Sequence, residues 1–400
     1  MHCVRKITDD LYWVGCNDRK LARFENIHPI PEGTSYNSYL LLDEKTVLFD
    51  TTEWEVSRQF MENVEHVLDG RKLDYIIVNH MEPDHGASLA YIVSKYPDAE
   101  IVCTPKAADM LKQFNYADHN VKTVKEAETL SFGKHEVAFY TAPMVHWPEV
   151  MVTYDKTSKV LFSADAFGSF GALNGRLFAD EVDYKKNFEE YARRYYTNIV
   201  GKYGPQVQRL LQKAAALDIE YICPLHGLTF RTKEDIEYIV DKYNKWSTYT
   251  PEEKGALICY ASMYGGTEEA AELLGAKLCE LGMTNFELYD VSSTHVSTLI
   301  SSAFKFSHIA LFSVTYNLKV FPVMQGFLDD MAALNLQNRT VSIVENGSWS
   351  PQAAKFMTAH FEKMKNMTTL GEVRSIASTM TDENYKEIEQ LAHDIVDSLK

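Results

Sequence analysis

The run His80-Met81-Glu82-Pro83-Asp84-His85 stands directly after the apolar segment 75–78. Four metal-capable side chains fall within these six residues, at the end of a predicted strand. Loops at strand ends are where a layered α/β scaffold presents its chemistry. His80, Glu82 and Asp84 alternate, and Pro83 predicts an extended loop in place of a regular helix, able to aim several ligands at one locus. By itself the run also reads as a solvated turn. Three more residues at strand-to-loop transitions change the weighing: His146 beyond strand 137–141, Asp165 beyond strand 160–163, and His226 after Tyr221-Ile222-Cys223-Pro224. Each alone reads as an ordinary core or loop residue. All four placements together read as one metal site.

Outward from this run, strands are expected at 11–14, 39–42, 46–49, 75–78, 101–103, 137–141, 151–154, 160–163 and 221–223, with helices between several of them, notably 107–114 and 205–217. Mixed strands and helices of this kind predict a layered α/β domain. A helical pattern over 234–246 runs into Ser247-Thr248-Tyr249-Thr250-Pro251-Glu252-Glu253-Lys254-Gly255, a polar Pro/Gly segment that reads as a linker. The boundary is therefore expected at 250/251. Beyond it the pattern alternates regularly: strand 256–261, helix 267–281, strand 285–289, helix 295–304, strand 308–314, helix 320–334, strand 340–345, helix 351–364, and a closing helix 383–399. That rhythm predicts a doubly wound parallel sheet.

The first strand of this second domain leads into Ser262-Met263-Tyr264-Gly265-Gly266-Thr267 and then a helix. Hydroxyls and glycines at a strand-to-helix turn form a nest whose N–H groups and helix N-terminus favour an anion. No Walker lysine is present, which fits a single phosphate. The plain alternative is a capped turn with Thr267 as the cap. Two loops follow later strands of the same sheet, Ser313-Val314-Thr315-Tyr316-Asn317 and Asn346-Gly347-Ser348-Trp349-Ser350. Loops at the C-terminal ends of parallel strands line the ligand crevice, and Tyr316 and Trp349 are placed to flank a flat ring.

Composition bounds the answer. With 400 residues, 46% hydrophobic and 24% charged, the chain is an ordinary globular one of two or three domains. No apolar run is long enough to span a membrane, and the N-terminus has no apolar signal core, so a cytoplasmic protein is expected. The formal charge of −16 and the lack of a Lys/Arg cluster argue against nucleic acid as a partner. The six cysteines include no C-x-x-C, which argues against a cysteine-held metal centre and against a disulfide framework. His2, His28, His66, His119, His135, His295, His308, His360 and His393 lack a motif context, though His28 is a candidate neighbour of the site.

The ligand pattern resembles the metallo-β-lactamase fold, whose loop carries H-x-H-x-D-H and whose later strands supply His, Asp and His. Here Glu82 replaces the second His of that motif. Zinc favours few, often nitrogen-rich ligands, whereas carboxylate-rich mixed sites suit iron and manganese. The reading is therefore a dinuclear, redox-active iron site. H-x-E-x-D-H, together with a flavodoxin-like domain and an S-M-Y-G-x-T phosphate loop, resembles the flavodiiron proteins (A-type flavoproteins) over essentially the whole chain. That resemblance implies an N-terminal metallo-β-lactamase-like αββα domain, 1–250, and a C-terminal flavodoxin-like FMN domain, 251–400. It implies two irons, one held by His80, Glu82 and His146, the other by Asp84, His85 and His226, with Asp165 bridging. The His85 equivalent turns away from the metal in some members, and Asp50 is expected to support the loop, not to bind metal. The second flavin loop departs from the family with Val314 in place of Pro, and the third reads Asn-Gly-Ser-Trp-Ser. These departures bear on which aromatic covers the flavin.

The activity implied is reduction of O2 to water, of NO to N2O, or of both. With no rubredoxin-like cysteine pairs after the flavodoxin domain, an external rubredoxin-like donor is implied, as is a head-to-tail homodimer or dimer of dimers. Two other readings stay open: a dizinc hydrolase fused to a flavodoxin module, and a flavodoxin electron carrier joined to a structural metal domain.

Overall fold

The computed structural model describes residues 2–115 and 120–400, so His119 lies outside the described residues. It divides into two compact units, Met1–Asn244 and Lys245–Lys400. The division falls inside helix Lys233–Ser247, upstream of the expected boundary. The reason is packing: Tyr249 is buried in the second unit's core, and its carbonyl accepts from the Arg339 guanidinium at 2.7 Å.

The first unit is built on two sheets. One runs in the order Arg5–Lys6, Leu11–Trp13, Tyr39–Leu42, Thr46–Phe49, Tyr75–Ile77, Glu100–Cys103 and Val121–Thr123. Its first four strands pair antiparallel and the rest parallel. The other runs Thr129–Ser131, Glu136–Thr141, Met151–Asp155, Val160–Phe162 and Tyr221–Cys223, antiparallel except for its last pair. Alternation along the strands sends neighbouring side chains to opposite faces. Phe49 thus stacks on Phe162 of the facing sheet at 3.8 Å and 9°. Leu48 and Ile76 turn the other way, onto Phe60, Val64, Leu89, Ile92 and Leu111 of the covering helices. Leu161 and Ile222 of the second sheet share a groove with Leu211, Ile236 and Val240 of helices Gly204–Ala214 and Lys233–Ser247. The expected αββα layering follows, and each fully buried Leu or Phe in it contributes about 1.5–3 kcal/mol.

The second unit is a parallel sheet in the order Phe286–Asp290, Glu253–Ala261, Phe306–Tyr316, Thr340–Asn346, then Thr368–Thr369 and Arg374–Ile376 beside the last. This is the doubly wound order whose ligand crevice opens where the strand order reverses. Leu257, Cys259 and Leu311 face helices Val296–Lys305 and Pro322–Ala333. Ile258, Ala310 and Phe312 face helices Gly266–Glu280 and Asp382–Ser398. Two strands are markedly longer than expected. Glu253–Ala261 begins three residues early, so 253–255 belong to the sheet and not to the expected linker. Phe306–Tyr316 runs two residues past 314 and folds back on Lys319–Val320 through Asn317 and Leu318, whose φ values are 49° and 59°. Two left-handed residues are what a tight hairpin of this kind requires. No helix among the described residues is long and apolar enough to cross a membrane.

Candidate functional site

Strand Tyr75–Ile77 delivers His80 to a floor made by Asp50. This buried carboxylate accepts from the Asn79 N–H at 2.7 Å, the Asn79 side-chain amide at 2.8 Å and the His80 N–H at 3.2 Å. Its role is support of the loop, as expected. Burial pushes its pKa up to about 6 against these donors. Pro83 does not keep the next residues extended. It occupies the first position of the helical turn Pro83–Gly86, with Glu82 as the residue before it. Proline's fixed φ suits that position and its missing N–H costs nothing there. The turn puts Asp84 and His85 on a different side from Glu82.

The seven expected ligands converge as two clusters. His80, Glu82, His146 and Asp165 each offer an atom within 4.8 Å of the others, and so do Asp84, His85 and His226. Asp165 joins them. Its Oδ2 lies 3.2 Å from His80 Nε2 and 3.3 Å from His146 Nε2. Its Oδ1 lies 3.1 Å from His85 Nε2 and 3.7 Å from His226 Nε2. Glu82 Oε2 lies 2.9 Å from His146 Nε2 and 3.3 Å from His80 Nε2. Asp84 stands 3.4 Å from His85 and 3.2 Å from His226, through different oxygens. His85 is turned into the cluster.

The donors want cations. Both oxygens of Asp84, both of Asp165, and Nε2 of His85 and His226 are buried without a hydrogen-bond partner among the described residues. Such groups are costly unless something charged fills the space between them. Electrostatics agree. Burial would push the His146 imidazole down, but the Asp165 and Glu82 carboxylates hold it at about 9. The Asp165 carboxyl, which burial would raise, is held well below the usual range chiefly by His80 and His85. Protons and metal ions compete for these same lone pairs. The donor set therefore fits two ions sharing one carboxylate.

The outer contacts carried no sequence signal. Glu149, fully buried, meets His80 Nδ1 at 2.7 Å. The Ser35 carbonyl meets His226 Nδ1 at 2.7 Å. The buried Tyr195 ring lies 5.4 Å from His226, its hydroxyl without a hydrogen-bond partner among the described residues. Each of these is close to its partner only in three dimensions. His28 stands 3.8 Å from Glu25, which in turn touches Glu82, so it sits at the edge of the cluster. Burial and the charge of Glu82 push Glu25 up to about 7.

In the second unit a cavity of about 430 Å³ opens at the switch point of the sheet. Of the expected flavin residues it is lined by Ser262, Met263, Tyr264, Gly266, Thr267, Val314, Thr315, Asn317, Asn346, Gly347, Ser348 and Trp349. Ser313, Gly265 and Tyr316 are not in its wall. Ser313 is fully buried within its strand. Tyr316 lies in the extended strand, edge-on to Phe321 at 5.6 Å. Gly265 is the residue before the helix, with φ 97°, and Thr267 lies inside the helix, so Thr267 is not the cap. Leu318, Ser378 and Thr379 complete the wall unannounced by any motif. Gly266 is required by space: a Cβ there would stand 2.3 Å from the Ser378 carbonyl oxygen.

A family model described as ODP family beta lactamase matches residues 34–227, a span that holds all seven ligand candidates. The chain is 32% identical over 398 residues to the rubredoxin-oxygen oxidoreductase of Megalodesulfovibrio gigas, covering 99% of this chain and 98% of the relative. The solved structure of the rubredoxin oxygen:oxidoreductase from the anaerobe Desulfovibrio gigas superposes with a TM-score of 0.92 at 30% identity, over 99% of this chain and 98% of the other. The flavodiiron protein of Giardia intestinalis superposes at 0.89 with 25% identity, over 99% and 97%. This chain belongs to the flavodiiron family. A further relative, the anaerobic nitric oxide reductase flavorubredoxin of Vibrio vulnificus, is 30% identical over 91% of this chain and 75% of its own. As a flavodiiron protein the chain combines a metallo-β-lactamase-like unit with a flavodoxin-like one, and its cofactors are FMN and a pair of irons.

Proposed function

We propose that this flavodiiron protein is an oxidoreductase that reduces O2 to water, NO to N2O, or both, with FMN relaying electrons from a rubredoxin-like donor. The observation that carries this is Asp165, whose two oxygens face two separate His/carboxylate clusters. In this reading His80, Glu82 and His146 hold one iron, Asp84, His85 and His226 hold the other, and Asp165 bridges. Diferrous iron and reduced FMN together supply four electrons, enough to take O2 and four protons to two waters. Two of those electrons, with two protons, suffice to turn two NO into N2O and water.

The residues around the cofactors divide the remaining work. The N-terminus of helix Gly266–Glu280 would take the FMN phosphate, its amides and dipole favouring the negative charge. Ser262 accepts the Gly265 N–H at 3.1 Å and holds the turn in shape. Thr315, which lines the cavity, accepts the Gln352 N–H at 2.9 Å and so ties two flavin loops together. On the metal side, Asp50 keeps His80 at its height, and Glu25 stands against the Glu82 carboxylate at the edge of the pair.

Two finer points belong to the same proposal. Tyr264 is 97% exposed and Trp349 78%, both at the flavin cavity. Aromatic side chains left bare there are suited to being covered by a second copy, which supports a head-to-tail homodimer or dimer of dimers. All six cysteines are free, which supports a reducing, cytoplasmic setting. The Glu82 carboxylate weighs against the dizinc hydrolase reading, and two clusters exceed what a structural ion needs. The test is oxygen and NO consumption by protein loaded with two irons and one FMN per chain, driven by a reduced rubredoxin. Turnover of neither gas by such protein would refute the proposal.

A further inference from the structure

Each iron position in the proposed reading receives the same donors from the chain: two imidazoles, one carboxylate of its own and one oxygen of Asp165. The difference lies one hydrogen bond further out. His80, His85 and His226 all direct Nε2 toward the carboxylates, so Nδ1 carries the proton when Nε2 binds an ion. His80 Nδ1 then donates to the Glu149 carboxylate at 2.7 Å, between two fully buried side chains. His226 Nδ1 donates to a neutral carbonyl, that of Ser35, at 2.7 Å. His85 Nδ1 is buried with no partner among the described residues.

A carboxylate that accepts the Nδ1 proton in a dry site raises the basicity of the ring and strengthens its hold on metal. A carbonyl does so less, and an unpartnered Nδ1 not at all. Glu149 is itself fixed for the task. Its Oε1 also accepts the Met81 N–H at 2.9 Å, and its backbone carbonyl accepts from Thr104 at 2.9 Å. Its Oε2 has no hydrogen-bond partner among the described residues, so no other donor draws off its charge. We infer that Glu149 is a positioning residue that makes the two metal sites unequal. The His80/Glu82/His146 position keeps its ion, and the Asp84/His85/His226 position releases its ion first. This rests on the assignment of the seven ligands made above.

The experiment is chelation of Fe(II) by ferrozine from the reduced, ⁵⁷Fe-loaded holoprotein under argon, with Mössbauer spectra taken at half extraction. The unsubstituted protein is expected to lose iron in two phases of equal amplitude, leaving one spectral component at the midpoint. Glu149→Gln keeps the shape and a hydrogen-bond acceptor but removes the charge. It is expected to speed the slow phase about 10- to 100-fold, the usual cost of losing such an outer partner, and to leave the fast phase alone. Glu149→Asp, which keeps the charge at shorter reach, is expected to fall between. FMN content reports whether each variant is folded. Single-phase loss from the unsubstituted protein overturns the inference whatever the variants do. So does a Glu149→Gln slow phase that is unchanged, or one that speeds up together with the fast phase. A protein that never binds two irons fails the functional proposal instead, and is recognised by its metal content before chelation begins.

Discussion

His135 had no motif to recommend it, and the structure makes it a test of how charge holds the first unit together. Its Nδ1 lies 2.7 Å from Asp155 and its Nε2 2.9 Å from Asp10, linking the turn before strand Leu11–Trp13 of one sheet to the strands of the other. Burial alone would lower the imidazole pKa; the Asp155 and Asp10 carboxylates outweigh it and hold the value at about 9. A group whose folded pKa lies above its unfolded value near 6.5 stabilises the fold fully below 6.5, and that contribution is lost as pH rises through 9. At about 1.4 kcal/mol per pH unit the span is worth at most about 3.5 kcal/mol. Asp10 is 20% exposed and also paired with Lys134 at 3.0 Å, so screening and the surviving pair reduce this to about 1–2 kcal/mol. The perturbation is His135→Gln. Urea unfolding, followed by far-ultraviolet circular dichroism at fixed pH from 6 to 10, gives the stability of both proteins. The unsubstituted protein is expected to be the more stable at pH 6, with the gap closing by about 1–2 kcal/mol by pH 10. Parallel curves across that window would refute the reasoning.

Other outcomes follow from the same geometry. Asp165→Ala is expected to drop iron from two per chain to below one, by elemental analysis, while FMN is retained. Glu82→His is expected to reverse the metal preference, with zinc exceeding iron after growth in equal amounts of both. Gly266→Ala puts a methyl group 2.3 Å from the Ser378 carbonyl oxygen, and is expected to weaken FMN binding by about tenfold or more, about 1.4 kcal/mol, by fluorescence titration, with iron content unchanged. Arg339, fully buried, donates to the carbonyls of Tyr249, Ala303, Phe304, Gln337 and Asn338. Arg339→Met leaves them unpaired and is expected to cost the second unit about 3–5 kcal/mol, read from urea unfolding followed by FMN fluorescence.

Much of this was legible in the residues. The strands at 39–42, 46–49 and 221–223 stand where the apolar runs place them, because a buried strand writes itself as a short continuous run. The seven ligand candidates could be picked out because each stands in a connection that follows such a strand. What failed to show depends on partners remote in sequence. Glu149 is defined by a contact with His80 across 69 residues, and Ser35 by one with His226 across 191. The short strands Thr368–Thr369 and Arg374–Ile376 carry too few residues for a period to appear, and exist because Thr340–Asn346 offers them an edge. Pro83 misled because proline both ends helices and begins them, and only the residues that follow decide which. Tyr316 lies differently from the expected loop because the strand beneath it continues two residues further, which sets its ring edge-on to Phe321.

The central claim, reduction of a diatomic gas at an iron pair that FMN refills, is tested most directly by anaerobic stopped flow. Fully reduced protein, holding FMN and two irons, is mixed with O2 and separately with NO, and flavin absorbance is followed against an iron-free preparation of the same protein. The account predicts that with at least one gas the flavin of the iron-loaded protein is oxidised far faster than that of the iron-free protein. Flavin oxidation at the same rate in both preparations, with both gases, would contradict it.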